Sequence, residues 1–246
     1  MEVHHHAHTS RKKWTHYLWE FLMLFLAVFC GFLAENIREH RLEKEKGRQY
    51  IESIIEDIQI DTANINTLAA IYDKYISHID TLQSSLFELR INGVSETFMR
   101  NNRYINAFQP FIYTDRTMQQ LKNAGGLRLI DKKEASDSIV FYDLFVRDML
   151  KGEEDIKHLF YAANDQKKRL IDFSTWIKER KKFTGAQIEA NKTNILITDN
   201  KEQFSIFYNY LGDYGGSMIL YAKMLRALKN KGINLIAFLK KEYHLK

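Results

Sequence analysis

The sequence predicts an all-α protein in which a single N-terminal transmembrane helix continues into a long-helix bundle domain. Three observations lead there. The stretch Tyr17–Ala34 runs YLWEFLMLFLAVFCGFLA with Glu20 as its single charge. Beyond it, apolar residues recur at heptad spacing from Ile51 to Leu89. Across 246 residues there are one proline and eleven glycines, too few to turn a β-rich chain every ten residues. Apolar residues at 45% and charged residues at 27% exclude a mostly disordered chain and a polytopic membrane protein. One cysteine excludes an internal disulfide framework and a zinc site built on several thiolates.

Residues 1–16 read as a flexible, His-rich and basic tail. His4, His5, His6 and His8 have weak affinity for a transition metal, but nothing near them supplies a second shell. Residues 17–37 read as the membrane helix. Eighteen helical residues rise about 27 Å, close to the hydrocarbon thickness of a bilayer. Trp14, Tyr17 and Trp19 stand at its leading edge, where amphipathic rings favour the headgroup layer. A buried core helix would show a polar face, and Phe21 to Ala34 has none.

A cleaved leader would look similar, with Arg11-Lys12-Lys13 as its basic region. Phe32 occupies the outer small position before Ala34, however, and Phe29 precedes Cys30, which spoils a lipid-modified cysteine. The segment is therefore expected to stay as an anchor, with Cys30 an inert side chain facing lipid or a neighbour. Within it, Glu20 reads in two ways. It pairs with a partner helix or carries protons, or it snorkels to the nearby interface. Ala27-x-x-x-Gly31 is a small-xxx-small pattern, a mild sign of helix pairing.

Residues 38–50 are nearly all polar, with Glu43–Lys46 and Glu45–Arg48 at helical spacing, and read as a charged stalk. Residues 51–246 form the expected bundle. One heptad series is Ile51, Ile58, Ile65, Tyr72, Ile79 and Leu86; its companion is Ile54, Asp61, Leu68, Tyr75, Leu82 and Leu89. Asp61 alone breaks the stripe, which marks a polar contact or a register device. Ile55, Ala69, Ile71 and Ile76 widen it beyond a two-stranded seam. Asn92-Gly93 is expected to stop this helix.

Pro110 must interrupt any helix through Phe108–Phe111. Thr114 is expected to cap a short helix over Asp115–Ala124, ended by Gly125-Gly126, and Asp131-Lys132-Lys133-Glu134 to open the next as a capping box. That helix steps through Ala135, Ile139, Tyr142, Val146, Met149, Ile156, Phe160, Ala163, Leu170 and Ile177, missing at Glu153, Lys167 and Ser174. Gly152 is expected to kink or split it and Gly185 to end it. Asn194–Thr198 reads as a short extended piece and Asp199-Asn200 as a cap for a helix through Phe204, Phe207 and Tyr210. Gly215-Gly216-Ser217 is expected to restart the chain as a last helix carrying Met218, Tyr221, Leu225 and Leu228.

The opening, with its His-rich tail and the exit AENIREH at Ala34–His40, resembles an uncharacterised group of small bacterial single-span membrane proteins. The phrase TMQQLKNAGGLRLI, with glycines at 125 and 126, is similar to a recurring element of that group. The resemblance implies the same architecture and a bacterial inner (cytoplasmic) membrane, and supplies no activity. Three basic residues precede the span and five follow within fourteen, which by count alone places the domain in the cytoplasm. A short basic tail is hard to export, so the amino terminus is expected in the cytoplasm and the domain in the periplasm.

No phosphate loop, HExxH, GxSxG or EF-hand spacing occurs. Asp155 and His158 stand one helical turn apart, as half of a carboxylate metal site would, and no second half is visible. Glu56, Asp57 and Asp61 gather acid on the first long helix and are expected to face water or basic helices. The acidic stretch 51–90 and the basic stretch 221–246 are expected to lie side by side, with anionic lipid or nucleic acid as rivals for the basic end. Aromatics at core spacing argue against nucleic acid. No catalytic, cofactor-binding or metal residue is assigned, and no cofactor. The expected function is a membrane-anchored scaffold, adaptor or accessory subunit of an envelope complex, with the lipid bilayer and a homo-oligomer or membrane-protein partner as contacts. The alternatives are an extracytoplasmic ligand-sensing domain signalling through a partner, or an enzyme using a metal at Asp155 and His158.

Overall fold

The computed structural model describes residues 14–93, 95–172 and 196–245, and among them every regular element is helical. Helix α1 is Trp14–Asn92, α2 Glu96–Asn102, α3 Arg116–Asn123, α4 Lys133–Leu170 and α5 Lys201–Tyr243. Two 3₁₀ turns, Arg103–Asn106 and Gly126–Leu129, flank α3. His4, His5, His6 and His8 lie outside the described residues, as do Ser174, Ile177 and Gly185.

Helix α1 runs 79 residues without a break and joins the apolar window, the charged stretch and the heptad stripe in one rod. Its 18-residue apolar window has a mean hydropathy of 2.0 and no buried residue, so this helix is long and apolar enough to cross a membrane. The first buried residue is Gly47, four before the expected start of the bundle. A methyl group there would overlap the carbonyl oxygen of Leu129, so only glycine lets the Gly126–Leu129 turn seat on α1. At the far end Gly93 takes a left-handed φ of 76° and donates to the Leu89 carbonyl at 3.1 Å, the stop expected of it.

Contacts between elements fix the topology. Gln83 reaches the Tyr208 carbonyl, Asp73 meets Arg226 and Asn66 meets Lys229, so α5 runs antiparallel to α1. Phe160 lies by Tyr214 and Lys132 by Glu242, so α4 is antiparallel to α5 and parallel to α1. Between α1 and α4 the chain descends as an irregular leg. Asn101 sits by His78, Gln109 by Tyr72, Thr114 by Asp61, Thr117 by Asp57 and the Gly126–Leu129 turn by Gly47. The result is an up-down-up-down bundle of four legs, three of them single long helices and one built of short helical pieces joined by irregular segments. One continuous core fills it, including Tyr72, Leu82, Phe98, Val146, Phe207, Tyr221 and Leu239.

Several local expectations are overturned. Gly215-Gly216 does not restart the chain, because α5 passes straight through. Gly215 instead lies against α1, where a Cβ would stand 3.3 Å from Ile79 Cγ2, so the absent side chain serves close packing. Gly152 does not split α4. The capping box at Asp131 does not form. Lys132 is the N-cap residue with no side-chain bond, and the Asp131 carboxylate accepts from the Tyr243 hydroxyl at 2.9 Å. Helix α4 ends at Leu170, and Ile171 forms an isolated antiparallel bridge with Leu196, within the piece read as extended. Asn200 does cap α5, its side chain accepting from the Glu202 amide at 2.8 Å.

Candidate functional site

An irregular leg inside a bundle leaves backbone amides and carbonyls that no helix satisfies, and burying them without partners costs about 1–3 kcal/mol each. Side chains from three helices meet that demand. From α1, Asp61 Oδ1 accepts the Thr114 amide at 2.9 Å and Asp57 Oδ2 the Thr117 amide at 3.1 Å. From α4, Glu153 Oε1 accepts the Phe111 amide at 2.9 Å, and from α5 the Tyr221 hydroxyl donates to the same carboxylate oxygen. Tyr72 and Tyr214 donate to the carbonyls of Gln109 and Ala107, each at 2.9 Å. Asp57, Asp61, Glu153 and these tyrosines are all buried.

This seam corrects two sequence expectations. Like Asp61, Asp57 faces neither water nor the basic helices. It bonds Arg116 Nε at 2.5 Å and supplies the acceptor at the start of α3, a task expected of Thr114. Glu153 and Lys167, counted as misses in the α4 series, are as buried as their apolar neighbours. Glu56 is exposed and reaches Arg116 at 3.5 Å.

Asp61 stands apart electrostatically. It is fully buried, and among the described residues its Oδ2 has no hydrogen-bond partner, nor does the buried Tyr142 hydroxyl. Burial pushes the Asp61 pKa up to about 6, against bonds from Thr114 that lower it and the nearby Asp57 and Asp115 charges that raise it. Burial, then the Asp61 charge, raises the Tyr142 pKa. Asp143 is the opposite case. Burial alone would raise its pKa, but hydrogen bonds from Arg147 and Lys122 hold it below the usual carboxylate range. Tyr113 completes this cluster, donating to Asp143 Oδ1 at 3.2 Å. The Asp143–Arg147 spacing of four on one helix is the signal in the sequence that marks this pair.

The remaining candidates do not converge. Asp155 and His158 are exposed on α4, and no group of three or more His, Cys, Asp or Glu side chains gathers among the described residues. Glu20 lies one turn from His16, its Oε1 3.2 Å from Nε2, both half exposed. Cys30, Ala27 and Gly31 are exposed on the apolar window. The acidic and basic stretches do lie side by side, tied by Arg226 and Asp73 at 2.6 Å.

Outside the apolar window of α1, the described surface includes an apolar groove. This groove of about 640 Å³ between α4 and α5 is lined by Phe141, Leu144, Phe145, Leu235 and Phe238, with Lys231 at its rim. Phe141 is 74% exposed and Leu144 56%, so two large apolar side chains stand out of the fold at one groove. No family model, curated protein or solved structure matches the chain.

Proposed function

We propose that the chain is a membrane-anchored helical scaffold, adaptor or accessory subunit of a bacterial cell-envelope complex that acts by protein contact. In this reading its amino terminus lies in the cytoplasm and its bundle in the periplasm. The observation that carries it is the α4–α5 groove, where Phe141 and Leu144 stay in water on a bundle whose other large apolar residues are mostly packed. The polar seam supports the same reading. Asp57, Asp61 and Glu153 each accept a backbone amide of the irregular leg, a structural task that suits a scaffold. Membership of the bacterial group that the opening resembles is part of this proposal.

Gentle solubilisation followed by mass photometry tests it. The full chain should run as a homo-oligomer or with a stoichiometric companion, and Phe141→Asp with Leu144→Asp should release it. A monodisperse monomer from native membranes, unchanged by these substitutions, overturns the reading. Orientation is tested by a reporter after Lys246 that is active on one side of the membrane only.

A second reading has its own observation. The groove also presents Ser138, Asp148, Lys231 and Asn234, polar groups beside an apolar floor, which suits a ligand-sensing domain that signals through a partner. Its open form favours protein contact, since a small ligand would keep much of its surface in water.

A further inference from the structure

Where α1 leaves its apolar window, the lower end of the bundle closes around it. We propose that this collar is a binding site for anionic phospholipid headgroups, built from Arg41, Lys44 and Arg128. The inference rests on the reading of α1 as a membrane anchor.

Two cavities flank α1 here. One, of about 420 Å³, is lined by His40, Glu43, Lys44, Arg128, Leu129 and Asp131. The other, of about 560 Å³, adds Arg41, Glu45, Arg48, Lys132, Glu242 and His244. Their acids are partly occupied within the protein. Glu242 pairs with Lys132 at 2.9 Å, and Asp131 accepts from Tyr243 at 2.9 Å. Glu43 lies 3.9 Å from His40, and Arg48 is held by Glu52 at 3.3 Å. Arg41, Lys44 and Arg128 are exposed and make no ion pair among the described residues, so their charge is directed outward.

Height is the second argument. The polar layer of a bilayer extends about 5–8 Å beyond the hydrocarbon on each side. Counted from Ile37, Arg41 lies about 6 Å and Lys44 about 10 Å along the helix. Helical side chains lean towards the amino terminus, here towards the lipid, and long basic side chains extend further to reach phosphate.

Arg128 comes from a distant part of the chain, and its position has a specific cause. Gly47 admits the Gly126–Leu129 turn onto α1, which sets Arg128 across a cavity from Lys44. His40, the last residue of the exit segment, lines the same cavity. Each cation near an anionic surface favours it by about fivefold in binding constant, so three supply a clear selectivity.

The test uses the full chain in neutral detergent, incubated with equal amounts of phosphatidylglycerol and phosphatidylcholine, with retained lipid counted by native mass spectrometry. Phosphatidylglycerol should be retained roughly tenfold over phosphatidylcholine, and R41Q/K44Q/R128Q should bring the two to parity at an unchanged melting midpoint. The distant control K151Q/K201Q/K223Q should keep the preference. Gly47→Ala, which keeps every charge but unseats Arg128, should weaken it about fivefold. Equal retention by the wild type, or equal loss in the control, overturns the proposal. Inorganic phosphate that abolishes the preference at millimolar concentration also overturns it, since the site would then take a free anion. Alkaline carbonate extraction is read separately. A chain that washes off membranes sinks the anchor reading, while the lipid count stands or falls by itself.

Discussion

Residues 14–46 and 47–92 of α1 share one backbone geometry and one axis, yet every buried residue of the helix lies in the second set. In the first, Phe21, Leu24 and Val28 are more than 60% exposed; in the second, Ile65, Tyr72 and Leu82 are sealed. The difference lies in their surroundings. The upper half has α5 and the descending leg against it, and its apolar side chains form a stripe. Within the lower half, Phe21 to Ala34 has neither against it and is apolar all round, a pattern that suits a hydrocarbon solvent.

The comparison breaks most readily at Leu82 and Leu24. Leu82→Ala should destabilise the bundle by about 2–5 kcal/mol in denaturant titrations of the solubilised chain, whereas Leu24→Ala should leave the transition in place. Equal effects would mean that both halves are packed against protein. A pH series sharpens the contrast within the upper half. The Asp61 pKa is raised on folding, so the native state holds the proton more tightly than the unfolded chain. Stability should therefore fall by up to about 3 kcal/mol as pH rises from about 4 through 6, and then level off. Asp61→Asn should remove that slope in urea midpoints. Asp143 works in the opposite sense, its stabilisation being lost only at more acid pH as its lowered pKa is crossed.

Gly47→Ala probes the boundary between the halves. It should cost about 1–3 kcal/mol through overpacking and speed hydrogen exchange in residues 126–130. The smallest effect belongs to the exposed pair Asp73–Arg226. A double-mutant cycle should find 0.2–1 kcal/mol, vanishing at high salt, roughly.

What was legible in the sequence follows the same divide. The apolar window and the heptad stripe are periodic, and periodicity reports an environment that is uniform along a helix face. The partner supplied at one point from elsewhere in the chain was not legible. Asp131 met the pattern of a cap, but Tyr243 claims it from 112 positions away. Gly215-Gly216 met the pattern of a break, but Ile79 of α1 fills the space beside it. Asp57 read as outward-facing acid, and Glu153 as a break in an apolar series, because the amides they serve belong to a leg without periodic signal. Asp61 was the exception, since a lone acid in an apolar series shows its own anomaly. Asp155 and His158, one turn apart by sequence, stay exposed on one helix, and among the described residues no third His, Cys, Asp or Glu joins them.

A rod without a hinge also has a mechanical consequence. From Ile37 to the tip at Asn92, α1 stands about 80 Å tall, so a 10° change of tilt in the bilayer would sweep that tip sideways by about 14 Å. Hydrophobic mismatch, which a spanning helix accommodates partly by tilting, would thereby become a mechanical input that the distal end of the molecule magnifies.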